Sequence, residues 1–229
     1  MKYRPGDDMS VLENLISRRY SCRAYRPELL PKNLVIRILE AAQRTVSDCN
    51  IQPWQVYIIS GERLEHIRTE MFRKASGGAG VVADIPPIPI CTGVFQERRR
   101  SCGWTLYSTL GIQKGDKEGG ARQAMENFKF FDAPHLALIT THSSLGPRAL
   151  LDCGGYLTSF LLAAQALGVG AVVQASIAQR ADVFRNEMSL PDEHRIVCGI
   201  AFGWPDSGHL ANAGRTSRAA LNEAVTFLD

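Results

Sequence analysis

The chain has 229 residues, of which 45% are hydrophobic and 21% are charged. At about 150 residues per domain, this length and ordinary composition predict one folded domain, 1–229, and exclude disorder. A net charge of +3 is too small to indicate nucleic-acid binding, and no apolar run is long enough to span a bilayer. Without an apolar signal segment, the chain is expected to be cytoplasmic, with its six cysteines reduced.

Hydrophobic periodicity predicts helices interspersed with four strands, and this arrangement indicates an α+β domain of three layers. Prolines and glycines make 76–93 irregular. A last short helix, with Leu221, Val225 and Leu228 at helical spacing, must dock on this or another subunit because isolated helices of this length are marginal in water. Strands are predicted at 54–60, 135–141, 170–176 and 195–203. Helices are predicted at 8–19, 32–44, 61–75, 95–110, 116–128, 148–167 and 180–189.

Arginines flank a serine in the segment RRYSCRAYR (18–26). If this segment is extended, Arg19, Ser21 and Arg23 lie on one face, because alternate side chains of extended backbone point the same way. Two guanidinium groups beside a hydroxyl suit a phosphate or an electron-rich heterocycle. In the alternative interpretation, Arg18 and Arg19 complement the dipole of the first helix and Arg23 is solvated.

Two further segments carry candidate ligand groups. SDCNIQPW (47–54) is a polar turn. Its Ser47 and Asn50 either donate or accept hydrogen bonds with a ligand or simply cap the preceding helix and close the turn. Near the end, Arg215 and Arg218 fall at the predicted start of the last helix, which is a good phosphate site if the tail is not merely a flexible basic segment. No catalytic triad elbow, phosphate-binding loop or metal-ligand spacing occurs, so no metal is expected.

These motifs in this order resemble the FMN-dependent nitroreductase family. The resemblance rests on RRxSxR, then SxxNxQPW, then GxxxGxxD followed by R-x-x-R, and it covers nearly the whole chain. ENFKFFDAPHLALI (126–139) and GVGAVVQASIA (168–178) resemble later motifs of the family, and the overall pattern looks most like its bacterial nitrobenzoate- and nitroaromatic-reducing branch. The resemblance implies a three-layer fold with a central, mostly antiparallel sheet and an intertwined homodimer, with an FMN at each subunit interface.

The resemblance also implies the roles of individual residues. Ser47 and Asn50 match the turn that reaches the FMN of the other subunit, and the arm 204–229 would wrap over the partner. Arg23 matches a basic residue near the flavin pyrimidine edge, and the backbone N–H of Ser176 matches the donor near flavin N5. The remaining FMN contacts would be Arg19, Ser21, Asn127, Gln174, Ala175, Arg215 and Arg218.

The implied activity is reduction of nitroaromatic compounds by NAD(P)H through ping-pong hydride transfer at flavin N5, with no side-chain nucleophile. The segment 84–125 would form a variable cover over the site. In it, Phe95, Trp104 and Tyr107 could stack on an aromatic substrate, and Arg98 with its neighbours could attract a carboxylate. Ordinary packing and a solvated helix face are the alternative for these residues. Other chemistry on the same fold, such as quinone or enone reduction or reductive dehalogenation, and non-catalytic flavin binding also stay open.

Overall fold

The computed structural model describes residues 6–228 and contains seven α-helices and four strands within them. The helices are α1 Asp7–Arg18, α2 Lys32–Ala42, α3 Gly61–Ser76, α4 Gly93–Thr109, α5 Lys117–Met125, α6 Ala149–Ala166 and α7 Ala181–Met188. The strands are β1 Trp54–Ser60, β2 His135–His142, β3 Gly170–Gln174 and β4 His194–Gly203. Every predicted strand and each predicted helix up to α7 is therefore present, with bounds that differ by a few residues.

The four strands form one antiparallel sheet in the order β1-β2-β4-β3. Side chains alternate between its two faces, so Leu136 and Leu138 of β2 pack in one hydrophobic cluster while Ala137 and Ile139 pack in the other. The first cluster includes the apolar faces of α3 and α7, and the second includes those of α2 and α6. Helices therefore cover both faces of the sheet, which confirms the predicted three-layer α+β architecture.

The end of the chain corrects one prediction. Within the described residues no α-helix follows α7, and the segment with Leu221 and Val225 contains only the short 3₁₀ turn Leu221–Glu223. Because Leu221 and Leu228 are exposed, the segment lacks the packed apolar face that stabilises most short helices in proteins. Arg215 and Arg218 consequently lie in irregular backbone and not at a helix start.

The predicted helix 116–128 ends at Met125 and continues as the 3₁₀ segment Glu126–Asp132. Its last three residues, 130–132, have φ angles of 57°, 53° and 56°, a conformation that is uncommon outside glycine. Arg68 of α3 donates hydrogen bonds to the carbonyls on both sides, Lys129 O at 2.5 Å and Ala133 O at 2.7 Å. Since Phe130 is also fully buried, tertiary contacts impose a turn that local periodicity does not indicate.

The N-terminal segment joins the free edge of β3 through a close approach at Gly170. Ser21 forms a parallel bridge with Ala171, and the amide of Cys22 donates to Ala171 O at 3.1 Å. A Cβ on Gly170 would lie 2.7 Å from Cys22 Sγ and 3.1 Å from a side-chain carbon of Pro205. The missing side chain therefore lets the segment that follows α1 lie directly against the sheet.

Replacing Gly170 with alanine is expected to lower the free energy of unfolding by about 1–3 kcal/mol, since overpacking displaces Cys22. The matched control is Gly154→Ala in α6, where an added Cβ meets nothing within 4 Å. That control should leave stability unchanged or raise it by up to about 1 kcal/mol. Equilibrium urea unfolding measures both variants, and equal stability of the two would contradict the close packing at Gly170.

Candidate functional site

A cavity of about 440 Å³ lies where the two ends of the chain meet. Its walls are the end of α1 with the extended segment after it, one face of α4, and the C-terminal segment. The described residues that line it include five of those predicted from the sequence: Arg19, Ser21, Arg23, Arg215 and Arg218. Basic side chains that are separated by almost the whole length of the sequence therefore share one site.

The extended backbone after α1 aims the first three of these side chains into the cavity. Helix α1 ends at Arg18, and Arg19 has φ −63° and ψ 132°, which is extended. Arg19, Ser21 and Arg23 line the cavity. Cys22, which stands between Ser21 and Arg23, and Ala24, which follows Arg23, are buried in the protein. Tyr20 also lines the cavity, so the predicted alternation of faces holds from Ser21 to Ala24 but not between Arg19 and Ser21.

The cavity carries positive charge that the protein does not neutralise. Within residues 6–228, none of its four arginines forms an ion pair with a carboxylate, and the Arg19 guanidinium makes no hydrogen bond. Burial, followed by the nearby charge of Arg218, lowers the pKa of Arg19. Burial also lowers the pKa of Arg23. Because unpaired cations in a partly desolvated site favour an anion, the residues present fit a phosphate group.

The two C-terminal arginines differ in the contacts that their guanidinium groups make within the protein. Arg215 stacks on the ring of Tyr20, with its Cζ 4.0 Å from the centroid, and donates to Asn212 O at 2.7 Å. Arg218 donates only within its own segment, to Thr216 Oγ1 at 3.0 Å and to Ser217 O at 2.9 Å. Arg215 therefore anchors the segment, while Arg218 has more capacity left for a ligand.

Asn212 holds the C-terminal segment against the N-terminal one, a role that the sequence pattern does not indicate. Its Oδ1 accepts from the amide of Arg23 at 2.7 Å. Its Nδ2 donates to Ala24 O and to Asp206 O, both at 2.8 Å. Asn212 is buried, and nothing local in the sequence distinguishes it from an ordinary turn asparagine. This side chain connects the two arginine-bearing segments.

Three more of the predicted site residues, Asn127, Gln174 and Ser176, lie close together at the C-terminal end of β3. The Gln174 amide donates to Asn127 O at 2.8 Å, and Ser176 Oγ lies 3.4 Å from Asn127 Oδ1, with the exposed Ala175 between the two β3-end residues. Gln174 Oε1 is buried without a hydrogen-bond partner among the described residues. Since buried polar atoms are normally paired, this oxygen fits a ligand that offers a donor.

An apolar cavity of about 460 Å³ adjoins the arginine cavity and shares Arg19 and Ser21 with it. Its other walls come from 171–173 of β3 and from α6. Gln174 follows three residues after Ala171, about 10 Å along an extended strand. Asn127, Gln174 and Ser176 are not among the described residues that line either cavity, so only the strand edge connects the anion pocket to these polar groups. An anion pocket beside an apolar strand edge suits a phosphorylated aromatic cofactor.

The turn with Ser47 and Asn50 lies apart from these cavities within this chain. Ser47 Oγ accepts from the amide of Gln52 at 2.9 Å, and Asn50 has φ 57°. The amide of Asp48 donates to Asp152 Oδ2 at 3.3 Å, so the turn packs near the start of α6. Of the described residues that line the arginine cavity, none belongs to this turn. Within one chain, the two side chains therefore only shape the turn.

The four predicted substrate residues of the cover segment 84–125 do not share one site. Trp104 and Tyr107 line a cavity of about 1040 Å³ on α4. Arg98 is not among the described residues that line it, because its guanidinium pairs with Glu223 at 3.0 Å. Phe95 is exposed. The structure therefore does not bring Arg98 or Phe95 together with Trp104 and Tyr107.

Two further features concern residues 6–228. None of the helices there has the length and apolar character needed to cross a membrane. In the same residues, no three His, Cys, Asp or Glu side chains are arranged to hold a metal ion.

Comparison with known proteins agrees with the fold. The chain is 32% identical over 222 residues to nitroreductase NfnB of Mycolicibacterium smegmatis, which covers 96% of this chain and 94% of that protein. It is 29% identical over 224 residues to a 4-nitrobenzoate reductase of Nocardioides sp., covering 96% and 91%. The crystal structure of FMN-dependent NfnB from Mycobacterium smegmatis in complex with NADPH superposes with a TM-score of 0.91 at 30% identity, covering 97% of this chain and 100% of that one. A sequence model described as the Nitroreductase family matches residues 16–204, and the chain belongs to that family.

Proposed function

We propose that this protein is an FMN-dependent oxidoreductase that uses NAD(P)H to reduce nitroaromatic compounds, including nitrobenzoates. The observation that carries the proposal is the convergence of unpaired arginines from both ends of the chain on one cavity. The family membership and the relatives that are named nitroreductases support the same conclusion.

In this proposal Arg19, Ser21 and Arg218 hold the FMN phosphate, with Arg215 beside them. Guanidinium groups suit this task because they donate paired hydrogen bonds to phosphate oxygens. Arg23 faces the ring system, and the groups at the end of β3 complete the site: Asn127, Gln174, Ala175 and Ser176. When bound, FMN supplies the hydride transfer, which amino-acid side chains do not provide.

Arg23 has the clearest electrostatic role among these residues. Its Cζ lies 5.9 Å from the centroid of Phe131, and its Nη1 donates to Ser21 O at 3.2 Å. These contacts hold a fixed positive charge in a partly buried place. A preorganised cation of this kind stabilises negative charge that develops during reduction, and it needs no rearrangement at the moment of reaction.

The functional unit in this proposal is a homodimer in the cytoplasm. Apolar side chains are exposed on three elements: Val46 before the turn is 86% exposed, Leu151 of α6 76% and Leu228 of the arm 92%. Exposed apolar side chains mark a protein interface where they form a contiguous patch, and we assign these three to the contact with a second copy. A second copy that covers them would bring its own Ser47 and Asn50 towards the cofactor. The arm 204–229 contacts its own chain through Asn212 and Glu223, so in this proposal its exposed end, with Leu228, is the part that meets the partner.

The test combines a spectrum with a reaction. We expect the purified protein to show flavin absorbance and to oxidise NADPH or NADH only when nitrobenzene or 4-nitrobenzoate is present, with benzoate as the inert control. The amino- or hydroxylamino-arene should appear by chromatography. A protein that contains FMN but leaves nitroarenes unchanged would refute the substrate assignment, and one that takes up no FMN would refute the proposal as a whole.

A further inference from the structure

A second cavity, of about 1040 Å³, opens on the face of α4 that points away from the arginine cavity. Three of the described residues that line it are basic: Arg99 and Arg100 of α4, and Lys114 of the loop that follows the helix. Trp104 and Tyr107 supply its aromatic surface. None of these five residues belongs to the cofactor site proposed above.

The three cations in this cavity have no acidic partner. Within the described residues none of them forms an ion pair, and no carboxylate is among the side chains that line the cavity. Arg98, one position before Arg99, differs from these cations because its guanidinium is neutralised by an ion pair with Glu223. A concave site with three unneutralised cations selects a ligand with more than one negative charge.

The volume of the cavity and its aromatic residues further restrict the class of ligand that it can bind. Ligand sites usually measure about 300–1,000 Å³, and this cavity, at about 1040 Å³, lies at the upper end of that range. It therefore has room for a ligand larger than one benzene ring with a carboxylate. Trp104 and Tyr107 offer faces on which an aromatic base can stack. The chemistry therefore fits a nucleotide with a phosphorylated sugar better than a single-ring substrate.

The place of the cavity relates it to the proposed FMN site. Cys102, Thr105 and Leu106 on the other face of α4 line the arginine cavity. A helix with its side chains is about 10 Å across, so the two cavities lie within the reach of an extended dinucleotide. A dinucleotide with one end in the cavity beside α4 can therefore extend past this helix towards the proposed FMN site.

We propose that this cavity binds the phosphorylated adenosine half of NADPH. The ring stacks on Trp104 and Tyr107, and the 2′-phosphate is held by Arg99, Arg100 and Lys114. The inference rests on the proposed oxidoreductase function and adds the identity of the hydride donor. NADH lacks the 2′-phosphate, so the protein discriminates in favour of NADPH.

Steady-state kinetics of the FMN-loaded protein tests the proposal. Arg100→Ala and Lys114→Ala are each expected to raise the KM for NADPH about tenfold, the loss expected for one charge-assisted contact. The KM for NADH and the kcat with either nucleotide should change less than about twofold. The matched control is Arg73→Ala on α3, an exposed arginine that pairs with Glu70 and lies outside both cavities.

Isothermal titration calorimetry with 2′,5′-ADP provides a readout independent of turnover. The wild-type protein should bind this probe, and Arg100→Ala should weaken binding about tenfold. Equal effects on NADPH and NADH, or binding of 2′,5′-ADP that Arg100→Ala leaves unchanged, would overturn the proposal. A raised KM for 4-nitrobenzoate alone would also overturn it and assign the cavity to a carboxylated substrate. The proposed function fails separately, by absence of flavin or of nitroarene reduction.

Discussion

Replacing Arg218 with alanine is expected to lower the affinity for FMN by about 10- to 100-fold, the range for loss of a charge-assisted hydrogen bond to phosphate. The side chain donates only to its own segment, through Thr216 and Ser217, so the fold does not depend on it. Its charge lowers the pKa of the neighbouring Arg19, which means that the two cations repel each other in the folded protein. The cofactor-free variant should therefore unfold at the same temperature as the wild type, or slightly above it.

Equilibrium binding of FMN to the cofactor-free protein, followed by quenching of flavin fluorescence, measures this effect. Arg218→Lys should retain part of the affinity, since lysine keeps the charge but loses the paired donors. The matched control is Arg73→Ala on α3, an exposed arginine that pairs with Glu70 at 2.6 Å. Arg218→Ala protein that binds FMN with wild-type affinity would remove Arg218 from the phosphate site.

Asn212→Ala is expected to cost about 2–4 kcal/mol of the free energy of unfolding, because it leaves buried backbone groups without partners. The substitution removes three hydrogen bonds, one from the amide of Arg23 and two to the carbonyls of Ala24 and Asp206. These bonds tie the C-terminal segment to the N-terminal one. FMN affinity should fall as well, because Arg215 and Arg218 lie on the segment that is released.

Urea unfolding of the cofactor-free protein and FMN titration measure the two consequences separately. Asn186→Ala is the matched control, since this asparagine is exposed in the middle of α7. A variant that loses stability but binds FMN normally would show that other contacts place the arginines. The stacking of Arg215 on Tyr20 and the ion pair of Arg98 with Glu223 are the alternatives that the structure offers.

The amino-acid sequence by itself determined the strands, the helices up to α7 and the common face of Arg19, Ser21 and Arg23. Each of these features follows from the periodicity of side chains along a helix or strand, which is a property of local backbone geometry. The order and spacing of the arginine, turn and glycine motifs also indicated the family, although no single motif was specific.

Only the tertiary structure decided which side chains meet. The buried Asn212 and the left-handed turn after Lys129 depend on partners far away in sequence, such as Ala24 and Arg68. Helix α4 has no buried residue, so its hydrophobic pattern does not indicate which face lines the arginine cavity. For the same reason the pattern does not show that Arg98 is separated from Trp104 and Tyr107. Spacing alone predicts the last helix, and within the described residues it is absent because Leu221 and Leu228 stay exposed and do not form a packed apolar face. Contacts of this kind arise from the folded arrangement of the whole chain, which local periodicity does not encode.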